Sequence, residues 1–194
     1  DPLIRQGLQD ELLELQRKLN KTIVFVSHDL DEALKIGNNI AIMKGGVIVQ
    51  HSKPEDIVLN PADDYVRSFV AHTNPLNVLR GISLMRPIAR CEMHDGETCL
   101  DSVADIWMTL DASQQLTAAR QGTETLALQN WTSADAIETL QQRPTVVSAD
   151  IGMRDALHIR YQTGQKLILS EGNQVLGILG DRELYHALLG KAMG

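Results

Sequence analysis

The 194-residue chain is 43% hydrophobic and 22% charged, with a formal net charge of −7, the proportions of an ordinary globular protein. The acidity is shared, with 8 Lys+Arg against 11 Asp+Glu in residues 1–79 and 10 against 14 in residues 80–194. Neither part carries a basic stripe, which excludes nucleic acid as an expected partner. No apolar run approaches the roughly 18 residues that a membrane-spanning helix needs, so membrane contact is expected through a partner.

Asp1-Pro2 suits a helix start, with the aspartate as cap and the proline at the first position. Leu8, Leu12, Leu15 and Leu19 then recur at helical spacing on one face, and Asn20-Lys21 closes the helix. Thr22–Ser27 is continuously apolar, the pattern of a parallel strand covered on both faces. A short helix, Leu30–Ile36, follows and ends at Gly37. Ile40–Met43 and Val47–Gln50 read as a hairpin around Gly45-Gly46. Helices are predicted at Pro54–Leu59 and Ala62–His72, the second with Tyr65, Phe69 and Val70 as its apolar side.

Ser27-His28-Asp29 therefore stands where a buried strand gives way to a helix, the sheet edge at which ligands collect in open α/β folds. Taken with the opening Asp1-Pro2-Leu3 and with Asn60-Pro-Ala-Asp-Asp-Tyr-Val-Arg67, the stretch Ile23-Val-Phe-Val-Ser-His-Asp29 resembles the last third of an ABC-transporter ATPase. The resemblance covers residues 1–79. It implies that His28 is the switch histidine that contacts the γ-phosphate and holds the attacking water. It also implies that Asp1 is the loop aspartate that communicates between the two ATP sites of the dimer. The phosphate-cradling loop G-x-x-x-x-G-K-[ST] is not present: Gly190-Lys191 is followed by alanine, with no glycine at the required spacing. The chain is accordingly read as a fragment, expected neither to bind nor to hydrolyse ATP by itself.

Thr73–Asn77, small and polar with a proline, is the expected domain boundary. At the far end, strand Thr145–Val147, helix Met153–Tyr161, strands Lys166–Leu169 and Gln174–Leu179, and helix Arg182–Leu189 follow in the order β-α-β-β-α. That order resembles a CBS module, a regulatory unit that works in pairs and often holds adenosyl ligands. Residues 144–194 form this module. Residues 80–143 are either a degenerate first module, closed by Leu126–Leu128 and Ala134–Leu140, or an unrelated α+β insert. The fold class is thus α/β: the C-terminal part of a P-loop ABC ATPase domain, then an α+β CBS-type regulatory domain. Ala156, Leu157, Ile159, Leu184, Leu188 and Leu189 are expected to exceed what one such module covers, and so to pair with a partner face.

The CBS resemblance implies that Gly177 and Glu183 hold a ligand, at the positions of a Gly-x-x-Thr/Ser-x-x-Asp pattern. Here the hydroxyl position is Gly180 and the acid is a glutamate, so a hydrogen-bond donor to a polar ligand is missing. Cys91, His94 and Cys99 lack the second ligand pair of a zinc site; they are read as free thiols beside a histidine, and no metal is expected. A phosphohydrolase metal pair at His28-Asp29 needs histidines at matching positions on neighbouring helices, a spacing that His51, His72 and His94 do not offer.

An ATPase part followed by CBS modules resembles the quaternary-amine branch of importers, which take up glycine betaine, proline or choline. The resemblance implies ATP and Mg in the full-length protein. It implies as partners a second copy of the ATPase subunit, a membrane permease and, indirectly, a substrate-binding protein. It places the subunit on the cytoplasmic face of the bacterial inner membrane. An alternative function is a non-enzymatic regulatory protein that senses a nucleotide or ionic strength.

Overall fold

The computed structural model describes residues 2–189, with the side chains of residues 2, 3, 5 and 6 outside that description. The chain divides into two compact units, residues 1–73 and 74–194. Among the described residues no helix is long and apolar enough to cross a membrane.

In the first unit, α1 (Pro2–Leu19) ends at Asn20, whose φ of 48° breaks the helix. Residues 21–27 form no ladder with any strand among the described residues, although a strand is expected there. The physical reason is that an apolar, β-branched run becomes a strand only when neighbours accept its backbone groups. Without them Val24 and Val26 stand 88% and 89% exposed. Helix α2 (Leu30–Ile36) follows as expected. Strands β1 (Ile40–Lys44) and β2 (Val47–Ser52) pair antiparallel about Gly45-Gly46, whose φ values of 58° and 81° give the primed turn that suits strand twist. Helices α3 (Pro54–Leu59) and α4 (Asp64–Val70) complete the unit, with Ile57, Val58, Val66 and Val70 buried. The inward side of α4 is thus Val66 and Val70. Tyr65 and Phe69 instead stack on each other with ring centroids 6.0 Å apart, and Lys44 Nζ lies 4.4 Å from the Tyr65 ring.

The second unit holds two five-stranded sheets. A short helix, α5 (Gly81–Leu84), leads into β3 (Arg86–Pro87). An antiparallel meander then runs β4 (Met93–His94), β5 (Glu97–Asp101), β6 (Ile106–Leu110), β7 (Leu116–Gln121) and β8 (Glu124–Thr125). The chain continues through β9 (Gln129–Asn130), β10 (Thr145–Ser148), α6 (Met153–Thr163), β11 (Leu167–Glu171), β12 (Gln174–Leu179) and α7 (Asp181–Leu188). These strands build a mixed sheet ordered β3-β12-β11-β10-β9, parallel at β9-β10-β11 and antiparallel elsewhere.

The two sheets share one core. Ile168, Val175 and Ile178 of the mixed sheet pack with Leu100, Ile106, Met108 and Ala119 of the meander. Residues 145–189 follow the anticipated β-α-β-β-α order closely. Residues 80–143 do not: Leu126–Leu128 is irregular, and within Ala134–Leu140 only a 3₁₀ turn, Ile137–Thr139, forms. Of the helical positions expected to need a partner, Ala156, Ile159 and Leu184 are buried and Leu157 half-buried within the unit. Tyr161, Tyr185, Leu188 and Leu189 remain exposed.

Candidate functional site

His28 sits between segment 21–27, which forms neither helix nor strand, and α2, and it is exposed. The backbone around it is held by a relay of side chains. Asp29 caps α2, its Oδ1 accepting the Glu32 N–H at 3.2 Å. The Asp29 N–H donates to Ser27 Oγ at 3.0 Å, and the Ser27 hydroxyl donates to Glu32 Oε2 at 2.5 Å. Glu32 Oε1 accepts from Gln9 Nε2 of α1 at 3.1 Å. In an ordinary capping box the glutamate would reach the cap N–H itself; here the Ser27 hydroxyl stands between them. A second tie, Lys35 to Asp10 at 2.9 Å, also fastens α2 to α1. The aspartate-x-x-glutamate spacing at Asp29 and Glu32 was readable as a helix-start signal. The parts played by Ser27 and Gln9 were not, because Gln9 is remote in sequence.

Asp1 lies outside the described residues. Gly177 and Glu183 lie in the second unit, where packing accounts for both. A Cβ on Gly177 would stand 2.6 Å from the Arg86 carbonyl oxygen and 2.7 Å from Met85 Sδ, so glycine allows β3 to approach β12. Glu183 is 3% exposed. Its Oε2 accepts the Gly180 N–H at 2.9 Å at the start of α7, and its Oε1 is 3.8 Å from Arg86 Nε. Cys91 is half-buried and Cys99 buried, both as free thiols. Burial pushes each thiol above its ordinary pKa, which disfavours the reactive thiolate.

A cleft of about 1170 Å³ opens within the second unit, between β7 and the ends of β10, β11 and β12. Arg80, Trp131, Ser148, Asp150 and Asp155 line it, whereas neither Gly177 nor Glu183 does. Arg80 Nη1 donates to the Asp150 carbonyl at 3.2 Å and stands 3.7 Å from Asp150 Oδ2. Sequence alone does not reveal this cleft, because its walls come from segments far apart along the chain.

No family profile matches the chain. Sequence comparison with known proteins nevertheless finds relatives that are ATP-binding proteins of transport systems. The chain is 55% identical over 85 residues (44% of its length, 25% of the relative's) to the trimethylamine N-oxide transport system ATP-binding protein of Pelagibacter ubique. It is 50% identical over 86 residues (44% and 21%) to the glycine betaine transport ATP-binding protein of Bacillus subtilis. It is 61% identical over 69 residues (36% and 17%) to the glycine betaine/proline betaine transport system ATP-binding protein of Escherichia coli. The chain thus spans at most a quarter of the length of these curated relatives. Over the matched stretch it is homologous to the ATP-binding subunits of quaternary-amine transport systems.

Proposed function

We propose that this chain is part of the ATP-hydrolysing subunit that energises import of a quaternary amine such as glycine betaine, choline or proline. The observation that carries the reading is identity of 50–61% to ATP-binding proteins of such systems, with His28 standing at the junction of an apolar segment and a helix. The phosphate-cradling loop G-x-x-x-x-G-K-[ST] does not occur in this sequence, so that part of an ATP site is not among these residues. ATP and Mg belong to the full-length subunit, and the chain alone is inactive. In the assembled subunit His28 is the switch residue and Asp1 the aspartate that links the two sites of a dimer. Partners are a second copy of the subunit, a permease and, through it, a substrate-binding protein. The working place is the cytoplasmic face of the inner membrane.

The test is His28→Ala in the full-length subunit. Turnover should fall at least about tenfold with ATP affinity nearly unchanged, because the lost contact acts mainly in the transition state. Normal turnover would reduce His28 to a structural residue.

The cleft of about 1170 Å³ favours a second, regulatory role for residues 74–194, in keeping with a CBS-type module at 144–194 that follows a degenerate first module or insert at 80–143. A ligand held at Gly177 and Glu183 would need both residues freed from their packing roles. Titration of nucleotides into Trp131→Ala and Gly177→Ala variants separates the cleft from that position.

A further inference from the structure

We infer that Glu32 is a positioning residue for His28, acting through Ser27 and Gln9; the inference rests on the reading of His28 as the switch residue. The Glu32 carboxylate accepts on one oxygen from the residue just before His28, at 2.5 Å from Ser27 Oγ. On the other it accepts from Gln9 of α1, at 3.1 Å. The residue just after His28 closes the loop from both sides. The Asp29 N–H donates to the same Ser27 oxygen at 3.0 Å, and the Asp29 carboxylate accepts the Glu32 N–H at 3.2 Å. Ser27 is therefore tied directly to the Glu32 carboxylate, and Asp29 is tied to it through the Ser27 hydroxyl and to the Glu32 backbone N–H, while the carboxylate itself is anchored to a separate helix.

This matters because His28 is exposed, so the direction of its imidazole depends strongly on the backbone at Ser27 and Asp29. A group that must stabilise charge or hold water is sensitive to displacements of about 1 Å, which can cost up to about a hundredfold in rate. Glutamate suits the task better than a neutral or shorter residue. It offers two acceptor oxygens to two donors at once, and charge strengthens both hydrogen bonds.

The test has two readouts. In the full-length subunit, Glu32→Ala and Ser27→Ala should each lower kcat about tenfold and leave KM within about twofold. Glu32→Gln, which keeps one acceptor and can donate to the other partner, should retain at least about half the rate. On the 194-residue chain itself, the His28 imidazole resonances, assigned by comparison with His28→Asn, should shift and broaden in Glu32→Ala and return in Glu32→Gln. Gln9→Ala, which removes only the anchor to α1, gives a milder version of both effects and covers the case in which Glu32→Ala fails to fold. Full kcat and unaltered His28 resonances in Glu32→Ala, beside a slow His28→Ala, would overturn the inference while leaving His28 in its role. Should His28→Ala turn over normally, the proposed function fails, and the resonances alone then decide whether Glu32 orders this loop.

Discussion

Lys166 Nζ lies 3.3 Å from Asp101 Oδ2, with only 21% and 17% of the two side chains exposed. Lys166 directly precedes β11 of the mixed sheet and Asp101 ends β5 of the meander, so this pair bridges the two sheets where their shared core ends. Burial raises the Asp101 pKa, but the Ala104 N–H, Lys166 and the Val103 N–H outweigh it, and the net shift is downward.

The sign of the resulting pH dependence follows from linkage. A carboxyl whose folded pKa lies below its unfolded value contributes stability above the unfolded value, near pH 3.9, and loses it as pH falls through the folded one. Urea unfolding followed by tryptophan fluorescence reports the second unit alone, since both tryptophans, Trp107 and Trp131, lie there. Asp101→Asn should cost about 1–2 kcal/mol at pH 7, and the difference from the parent should shrink below about pH 4. A difference that holds constant from pH 7 to pH 3 would exclude the Asp101 charge as the cause.

Gly177→Ala should destabilise the second unit by about 2–3 kcal/mol, because its new methyl group meets the Arg86 carbonyl, a backbone atom that cannot swing aside. Gly152→Ala is the control: Gly152 has φ of −66° and nothing within 4 Å of an added Cβ, so its cost should stay within about 0.5 kcal/mol. Equal effects in the two variants would remove the steric account of Gly177.

The contrast between residues 145–189 and residues 91–125 shows what local pattern can carry. Met153–Thr163, Leu167–Glu171 and Gln174–Leu179 are each long enough for their periodicity to speak, and Glu171–Gln174 encloses a plain turn at Gly172. The meander begins and ends with strands of two residues, Met93–His94 and Glu124–Thr125, too brief to show alternation. One signal was available there, Asp95-Gly96, whose φ values of 49° and 81° form the hairpin turn that this dipeptide favours. Segment 22–27 fails differently. Its residues specify a strand, yet pairing is a property of neighbours rather than of the run itself. At the candidate site, the start of α2 just after His28 was legible, while the relay through Gln9 depends on a contact spanning 23 residues between Gln9 and Glu32.

Glu183 and Arg86 should behave as a coupled pair. Glu183→Ala leaves the Gly180 N–H without its acceptor and removes the carboxylate that stands 3.8 Å from the buried Arg86 Nε, an atom with no hydrogen bond among the described residues, and should cost about 2–4 kcal/mol. Arg86→Met should cost less, since Glu183 keeps its bond to Gly180. The double variant should recover about 1 kcal/mol or more relative to the sum. Strict additivity in urea unfolding would mean that the 3.8 Å approach carries no energy.

The 194-residue chain should show no binding of Mg-ATP by calorimetry. Binding of a triphosphate draws on a run of backbone N–H groups and a lysine set by glycine spacing, and the only Gly-Lys pair, Gly190-Lys191, precedes alanine rather than serine or threonine. His28 supplies a single exposed imidazole, which offers far less than such a cradle. The cleft in the second unit presents Arg80 as its one lysine or arginine, alongside Asp150 and Asp155, so its walls repel a polyanion more than they attract it. Micromolar binding lost in Arg80→Ala or Trp131→Ala would move a nucleotide into that cleft and make the second unit a sensor. Micromolar binding lost instead in His28→Ala would mean that residues 1–73 hold phosphate without a glycine-rich loop, and would overturn the view that the ATP site needs the rest of the subunit.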